Sequence, residues 1–377
     1  MRDARQTETG PHSSTPASNT PRYPGRFGLS WAIVGPEGVR AGWLIFLFYC
    51  LYRLFVAILG SIVYATVPDL IATQASISTA FFSELVLFLA MIGAGAIMLL
   101  VARRRPADYN LRDARALRHF VSGTAIGAVS LSALIGSLSM GGWAHIGRAS
   151  LGPSKLALYA GGWALTFLLV GCVEEGLFRC YAQFTLTRAI NFWWALALVS
   201  GLCIYARLFV SGDCIWGVYA FAGLGVIPCF LLQLKRAENS GFWQAAWASS
   251  TGFGFIHTLN HGENWIGIFA AAFIGFVFCV SIWVTGSAWW AIGCHAAWDW
   301  AETYFYGTAD SGFVAPGHLL STTPTGNPLW SGGTDGPEGS LLIIPIVLLL
   351  LAWLLVIYRR PKPAEFSSSA ATEQLAS

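Results

Sequence analysis

Charged side chains are scarce in this sequence: Asp, Glu, Lys and Arg make up 11% of 377 residues, against about 25% in soluble domains. With 55% of the chain hydrophobic, too few charges remain to cover a water-soluble fold of this length. That shortage excludes a cytosolic enzyme, a disordered chain and a secreted disulfide scaffold, and it leaves a polytopic membrane protein. Paired cysteines are also missing. Cys50, Cys172, Cys180, Cys203, Cys214, Cys229, Cys279 and Cys294 form no CxxC and fall in or beside apolar runs, so they read as small buried hydrophobes and not as a metal knuckle. A net charge of +3 is too small, and too confined to the ends of apolar runs, for nucleic-acid binding. Residues 1–39 are rich in Ser, Thr, Pro and Arg and lack the apolar run of a signal peptide, so they are expected to be a disordered tail.

What is abundant is apolar sequence of membrane-spanning length, about 20 residues per run. Ten runs stand out: 41–67, 80–102, 120–140, 156–172, 192–210, 216–234, 242–257, 265–284, 288–306 and 341–358. The expected fold is all-α, a polytopic integral membrane helical bundle of about 8–10 transmembrane helices. Seventeen Trp suit the aromatic belts of many crossings. The basic segment 109–118 is amphipathic and is expected on the membrane surface before the third span. Lys and Arg collect before the first run and after the second, fourth, sixth and last, whereas 68–79 and 307–340 contain none. The positive-inside rule therefore places both termini in the cytoplasm, which suits an even number of spans. The organisation read from these features is a cytoplasmic tail (1–39), N-terminal transmembrane helices (40–150) and a second membrane domain (151–306). A Gly-rich extracytoplasmic loop (307–340), a last helix (341–358) and a cytoplasmic tail (359–377) complete it. The long loop is expected to pack back on the membrane domain, since loops of this length are either functional or disordered.

Ionisable residues inside spans are costly and mark function. The fourth run ends in Glu174, Glu175 and Arg179; the seventh contains Phe253 and His257, followed by Asn260, His261 and Glu263; the ninth carries His295, Asp299 and Glu302. Glu175 and Arg179 are four residues apart on a helix and can pair, as a structural ion pair or as part of a site. Glu174 points about 100° away from Glu175, so it lacks a cation of its own and suits a general base. His295 and Asp299 have the same i, i+4 spacing, so the carboxylate can orient the imidazole. His257 could instead bond a backbone carbonyl, His261 is expected at a watery helix end, Arg53 to snorkel, and Glu302 to lie at the interface. Together the three clusters make a site for activating water, which is hydrolytic chemistry.

The three clusters resemble the signature of the CPBP family, the CAAX protease and bacteriocin-processing (Abi) enzymes that include the Ras-converting endopeptidase. That family carries EExxxR, FxxxH and HxxxN or HxxxD, in this order, on separate membrane helices. Here they stand as Glu174–Glu175–xxx–Arg179, Phe253–xxx–His257 and His295–xxx–Asp299. Thr285–Gly286–Ser287, Trp298 and the stretch Asn260 to Trp265 also look like this family, and the likeness covers roughly residues 156–306. The resemblance implies an intramembrane endopeptidase, metal-independent and glutamate-centred. Glu174 would activate water and His257 would help to hold it; His295 and residue 299 would face the scissile carbonyl and its oxyanion, with Glu175 and Arg179 shaping the site. Where the best-understood members have Asn, this chain has Asp299, which when ionised cannot donate to an oxyanion. It is therefore either protonated or there to orient His295.

Two other readings stay open. A zinc protease could use His257, His261, His295 and Glu174, although no Glu follows His257 as HExxH requires. A non-catalytic membrane scaffold or an immunity or regulatory protein could keep the motifs for packing. A transporter would more usually show repeated broken spans. The expected cofactor is none, with zinc the alternative. The expected partners are the lipid bilayer and a membrane-associated peptide or lipidated protein, CaaX-type prenylated tails included, in a bacterial cytoplasmic membrane.

Overall fold

Inside lipid only a helix or a closed barrel satisfies every backbone N–H and C=O, and the apolar runs of this chain all become helices. A computed structural model describes residues 33–35, 38–67, 76–148, 151–210 and 212–358. Most of the expected N-terminal tail and all of the C-terminal tail lie outside these residues. Val34–Gly35 (β1) pairs antiparallel with Gly38–Val39 (β2).

From Ala41 onward the described residues form one unit built from Ala41–Thr66 (α1), Ile77–Ala102 (α2), Ala116–Met140 (α3), Pro153–Thr187 (α4), Phe192–Phe209 (α5) and Ile215–Leu234 (α6). Ser240–His257 (α7), Trp265–Thr285 (α8), Trp289–Trp300 (α9) and Ile343–Ile357 (α10) follow. Seven of them, α1 to α6 and α8, are long and apolar enough to cross a membrane, so this is a multi-pass helical membrane protein. The other three expected spans are helical but fall short of that standard. α7 buries Gln244, Ser249, Ser250 and Thr251, α9 has 12 residues before a π-helical turn, Ala301–Tyr306, and α10 has 15.

One expectation needs correction. The fourth span does not stop near 172: α4 runs 35 residues through the first motif, with a π-helical stretch at Gly176–Ala182. Glu175 and Arg179 pair and so do not end the helix. The segment 109–118 is helical only from Ala116, with Tyr109 and Asn110 buried and Arg112, Arg115 and Arg118 exposed. Asn110 explains this. Its Nδ2 donates to the Arg179 carbonyl at 2.8 Å, and its own carbonyl accepts from the Ala288 N–H at 2.8 Å. The segment thus ties the α8–α9 turn to the π stretch of α4.

Close helix contact sets the frame of the site. A Cβ on Gly123 or Gly127 of α3 would stand 2.1 Å from the Trp290 carbonyl oxygen or 2.4 Å from that of Cys294, and one on Gly293 of α9 would stand 2.3 Å from the Phe120 carbonyl oxygen. These glycines let the backbones of α3 and α9 touch, the small-residue packing that membrane helices use. The long loop does pack back, as its length suggests. Ala144–Ile146 (β3) pairs antiparallel with Thr322–Pro324 (β4), Gly312 N–H donates to the Asp335 carbonyl at 3.0 Å, and Thr334 Oγ1 donates to the Gly262 carbonyl at 3.3 Å.

Candidate active site

Glu174 and Glu175 are consecutive on α4, and the helix turns them to different surroundings. Glu175 is wholly buried. Its Oε1 accepts from Arg179 Nη1 at 3.2 Å and from His295 Nδ1 at 2.9 Å. Arg179 is also wholly buried. Its guanidinium lies 4.2 Å from the Phe253 ring centroid, with Phe278 at 5.4 Å and Phe178 at 5.8 Å. A desolvated cation over aromatic faces is stabilised by about 2 kcal/mol, which gives the Phe of the second motif a physical role. Room for the guanidinium comes from Gly275, where a Cβ would stand 2.3 Å from Arg179 Nη2.

Glu174 instead faces a cavity of about 170 Å³ together with His257, His295 and Asp299, under apolar walls that include Phe167 and Phe278. Its side chain keeps 29% of its exposure, against 0% for Glu175, so a water molecule can reach it. A cavity this size holds several waters. His257 Nδ1 bonds the Phe253 carbonyl at 2.8 Å. A carbonyl can only accept, so Nδ1 carries the proton and, in the neutral ring, Nε2 is an acceptor. The backbone-carbonyl bond expected for this histidine is therefore present, and the ring still lines the cavity.

His295 presents the opposite face of the site. Its Nδ1 is held by Glu175, and its Nε2 stands 3.7 Å from Glu174 Oε2 and 3.5 Å from Asp299 Oδ2. The spacing along α9 assigned the orienting carboxylate to Asp299, but the short bond is to Glu175 on α4. Asp299 lies beyond hydrogen-bond range and faces the cavity. Of the seven motif residues, Glu174, Phe253, His257, His295 and Asp299 thus line one space, and Glu175 and Arg179 are buried outside its lining, joined to it through His295.

Of the alternative zinc ligands, Glu174, His257 and His295 line the cavity, whereas His261 is exposed and not part of its lining. Among the described residues, the metal-ligand types with three atoms mutually within 4.8 Å are Glu302, Asp310 and Glu338. Arg53 is exposed, in line with a snorkelling side chain. Glu302 is not interfacial as expected. It is wholly buried, because the loop 307–340 folds over it and Trp298 Nε1 donates to its Oε2 at 3.0 Å.

Two cavity residues were not singled out from the sequence. Asp310 and Glu338 come from the Gly-rich loop and line the same space. Burial pushes both carboxyls above the ordinary carboxylate range, and neighbouring carboxylates push Glu338 further. The available signal was a loop containing three carboxylates, at 310, 335 and 338, and no Lys or Arg.

Residues 229–301 match the Rce1-like family model, described as Type II CAAX prenyl endopeptidase Rce1-like. The matched stretch holds the second and third motifs and runs from the end of α6 to the end of α9; the first motif lies before it. The resemblance to the CAAX protease family therefore holds in this comparison. In general terms the match supports a CAAX-type intramembrane protease. No curated protein matches the chain, and no solved structure does.

Proposed function

We propose that this Rce1-like chain is an intramembrane endopeptidase that hydrolyses a peptide bond of a membrane-associated protein with water activated by Glu174. The observation that carries the reading is the contrast between two adjacent carboxylates. Glu175 is consumed by Arg179 and His295, while Glu174 is left facing a water-sized cavity.

In this mechanism Glu174 takes a proton from a water held against His257 Nε2. The resulting hydroxide attacks the scissile carbonyl carbon. His295, with Nδ1–H fixed on Glu175 and a protonated Nε2, donates to the oxyanion that forms. Collapse of the tetrahedral intermediate breaks the C–N bond, and the proton held by Glu174 passes to the leaving amine. Asp299 shapes the carbonyl side of the cavity and favours the protonated imidazole. No metal or other cofactor takes part. The substrate class is a lipidated or otherwise membrane-held peptide, CaaX-type prenylated tails included. The setting is a bacterial cytoplasmic membrane with both termini in the cytoplasm, an orientation supported by Arg103, Arg104, Arg105, Lys235 and Arg236 at helix ends.

The test is cleavage of a membrane-bound peptide library by purified protein, wild type against Glu174→Gln. Activity in the wild type is expected to fall at least 1,000-fold in the variant, about 4 kcal/mol of transition-state stabilisation, with folding and insertion unchanged. Retained cleavage would remove Glu174 from water activation. Loss of wild-type cleavage on metal removal, restored by zinc alone, would move the reaction to zinc chemistry.

A further inference from the structure

On the loop side of the same cavity lies a second group of acidic side chains to which that reaction assigns nothing. Glu302 comes from the π-helical turn after α9, Asp310 from the start of the long loop, and Glu338 from its end. One carboxylate oxygen from each lies within 4.8 Å of the others. Glu302 is wholly buried and its Oε1 has no hydrogen-bond partner. Its Oε2 shares a single donor, the Trp298 indole N–H, with Glu338 Oε1, at 3.0 and 2.7 Å. The charges acting on Glu302 are all carboxylates: Glu338, Asp310, Asp299 and Asp335. Asp335 also keeps a buried Oδ1 without a partner. The positive influences in the neighbourhood are His295 and His257, which act on Asp310 from the cavity side. The Trp298 indole N–H and the Thr303 hydroxyl, which donates to Asp310 Oδ2 at 2.9 Å, are two neutral donors for three carboxylates, and they leave Glu302 Oε1 without one.

We propose that Glu302, Asp310 and Glu338 form a divalent-cation site, suited to Ca²⁺, that fastens the loop 307–340 over the end of α9. The donor chemistry selects the ion. An all-oxygen, all-carboxylate set suits hard cations and lacks the imidazole or thiolate that favours zinc. Coordination habit selects within that class. Ca²⁺ accepts a flexible set of protein carboxylates, whereas Mg²⁺ demands near-octahedral geometry and keeps several waters; three carboxylates from three separate stretches of chain suit the former. The site joins three separate stretches of chain, so filling it closes the loop without touching Glu174.

The experiment reads stability and not proteolysis, so its outcome is independent of the hydrolytic reading. Metal-stripped full-length protein in detergent is titrated with Ca²⁺, Mg²⁺ and Zn²⁺ while its thermal midpoint and heat of binding are followed. Ca²⁺ is expected to raise the midpoint saturably, by roughly 5 °C at a hundredfold excess over its dissociation constant, with Mg²⁺ weaker. Glu338→Gln, at a half-buried position, is expected to weaken Ca²⁺ binding at least tenfold, and Asp310→Asn to do the same. Three results would overturn the proposal: no midpoint shift with Ca²⁺, an equal shift in wild type and both variants, or a response to Zn²⁺ alone. A variant whose midpoint without metal already equals the wild type's with Ca²⁺ would also overturn it, since protons would then be holding the carboxyls together.

Discussion

At the scale of single residues, the site works by giving neighbouring carboxylates different partners. Glu175 and Arg179 are a buried ion pair, and such a pair is stabilising only when its remaining polar atoms are met. Here His295 takes up a second lone pair of Glu175 Oε1 and the Phe253 face covers the guanidinium, while Glu175 Oε2 and Arg179 Nε and Nη2 stay buried without a hydrogen-bond partner. Breaking the pair by Glu175→Ala would strand the arginine and cost about 3–5 kcal/mol. Asp299 is in another position. It stands 3.5 Å from His295 Nε2, whereas Glu175 holds Nδ1 at 2.9 Å, so the ring keeps its orientation when Asp299 changes. Asp299→Asn is therefore expected to retain activity within about tenfold of the wild type, roughly 1.4 kcal/mol, since Asn can itself donate to the oxyanion. Cleavage rates on one membrane-bound peptide check this. Loss as deep as that of Glu174→Gln would mean that the Asp299 carboxylate itself is needed.

At the scale of elements, local spacing was readable and distant partnership was not. The i, i+4 rule foresaw Glu175 against Arg179 because both ends sit on one helix. It could not foresee Glu175 against His295, 120 positions apart, and so it assigned the orienting role to the nearest carboxylate on α9. Hydropathy located all ten helices but stopped α4 short, because it counts a charge without knowing its partner. It read α7, α9 and α10 as membrane-length runs, where α9 has 12 residues, α10 has 15 and α7 turns a polar face inward. Glu302 was misplaced for a related reason: what buries it is the loop 307–340, whose docking no helix pattern records. The α3–α9 contact shows what such packing demands. A methyl at Gly123 would meet the Trp290 carbonyl oxygen at 2.1 Å, whereas one at Gly136 on the same helix meets nothing within 4 Å. Gly123→Ala should therefore push α9 away, lower the thermal midpoint by the equivalent of about 1–3 kcal/mol, and reduce cleavage by displacing His295. Gly136→Ala should be neutral or stabilising by up to about 1 kcal/mol, because Ala is the better helix former. Parallel thermal melts separate the two, and equal effects would refute close α3–α9 packing as the constraint.

At the scale of the whole molecule, the long loop couples the acidic side of the cavity to the fold. Asp335 anchors it from within: the side chain is buried, and its Oδ2 accepts from the Asn264 N–H at 3.0 Å while its backbone holds Gly312. Burial first, and the charge of Glu263 second, push its carboxyl up to about 8, although the Asn264 bond opposes the shift. The sign follows from proton counting. Between about pH 4, where an unfolded aspartate titrates, and pH 8, the folded loop keeps a proton that the unfolded chain releases. Stability from this group is therefore fully present below pH 4 and is lost as pH rises through 8. In metal-free buffer the docked loop is expected to resist limited proteolysis better at pH 5.5 than at pH 8.5, and the thermal midpoint to fall over the same interval. Asp335→Asn keeps an acceptor for the Asn264 N–H but cannot ionise, so it should flatten that dependence. A slope unchanged in Asp335→Asn would assign the pH response to the other loop carboxyls, Asp310 and Glu338, which burial also holds above their ordinary range.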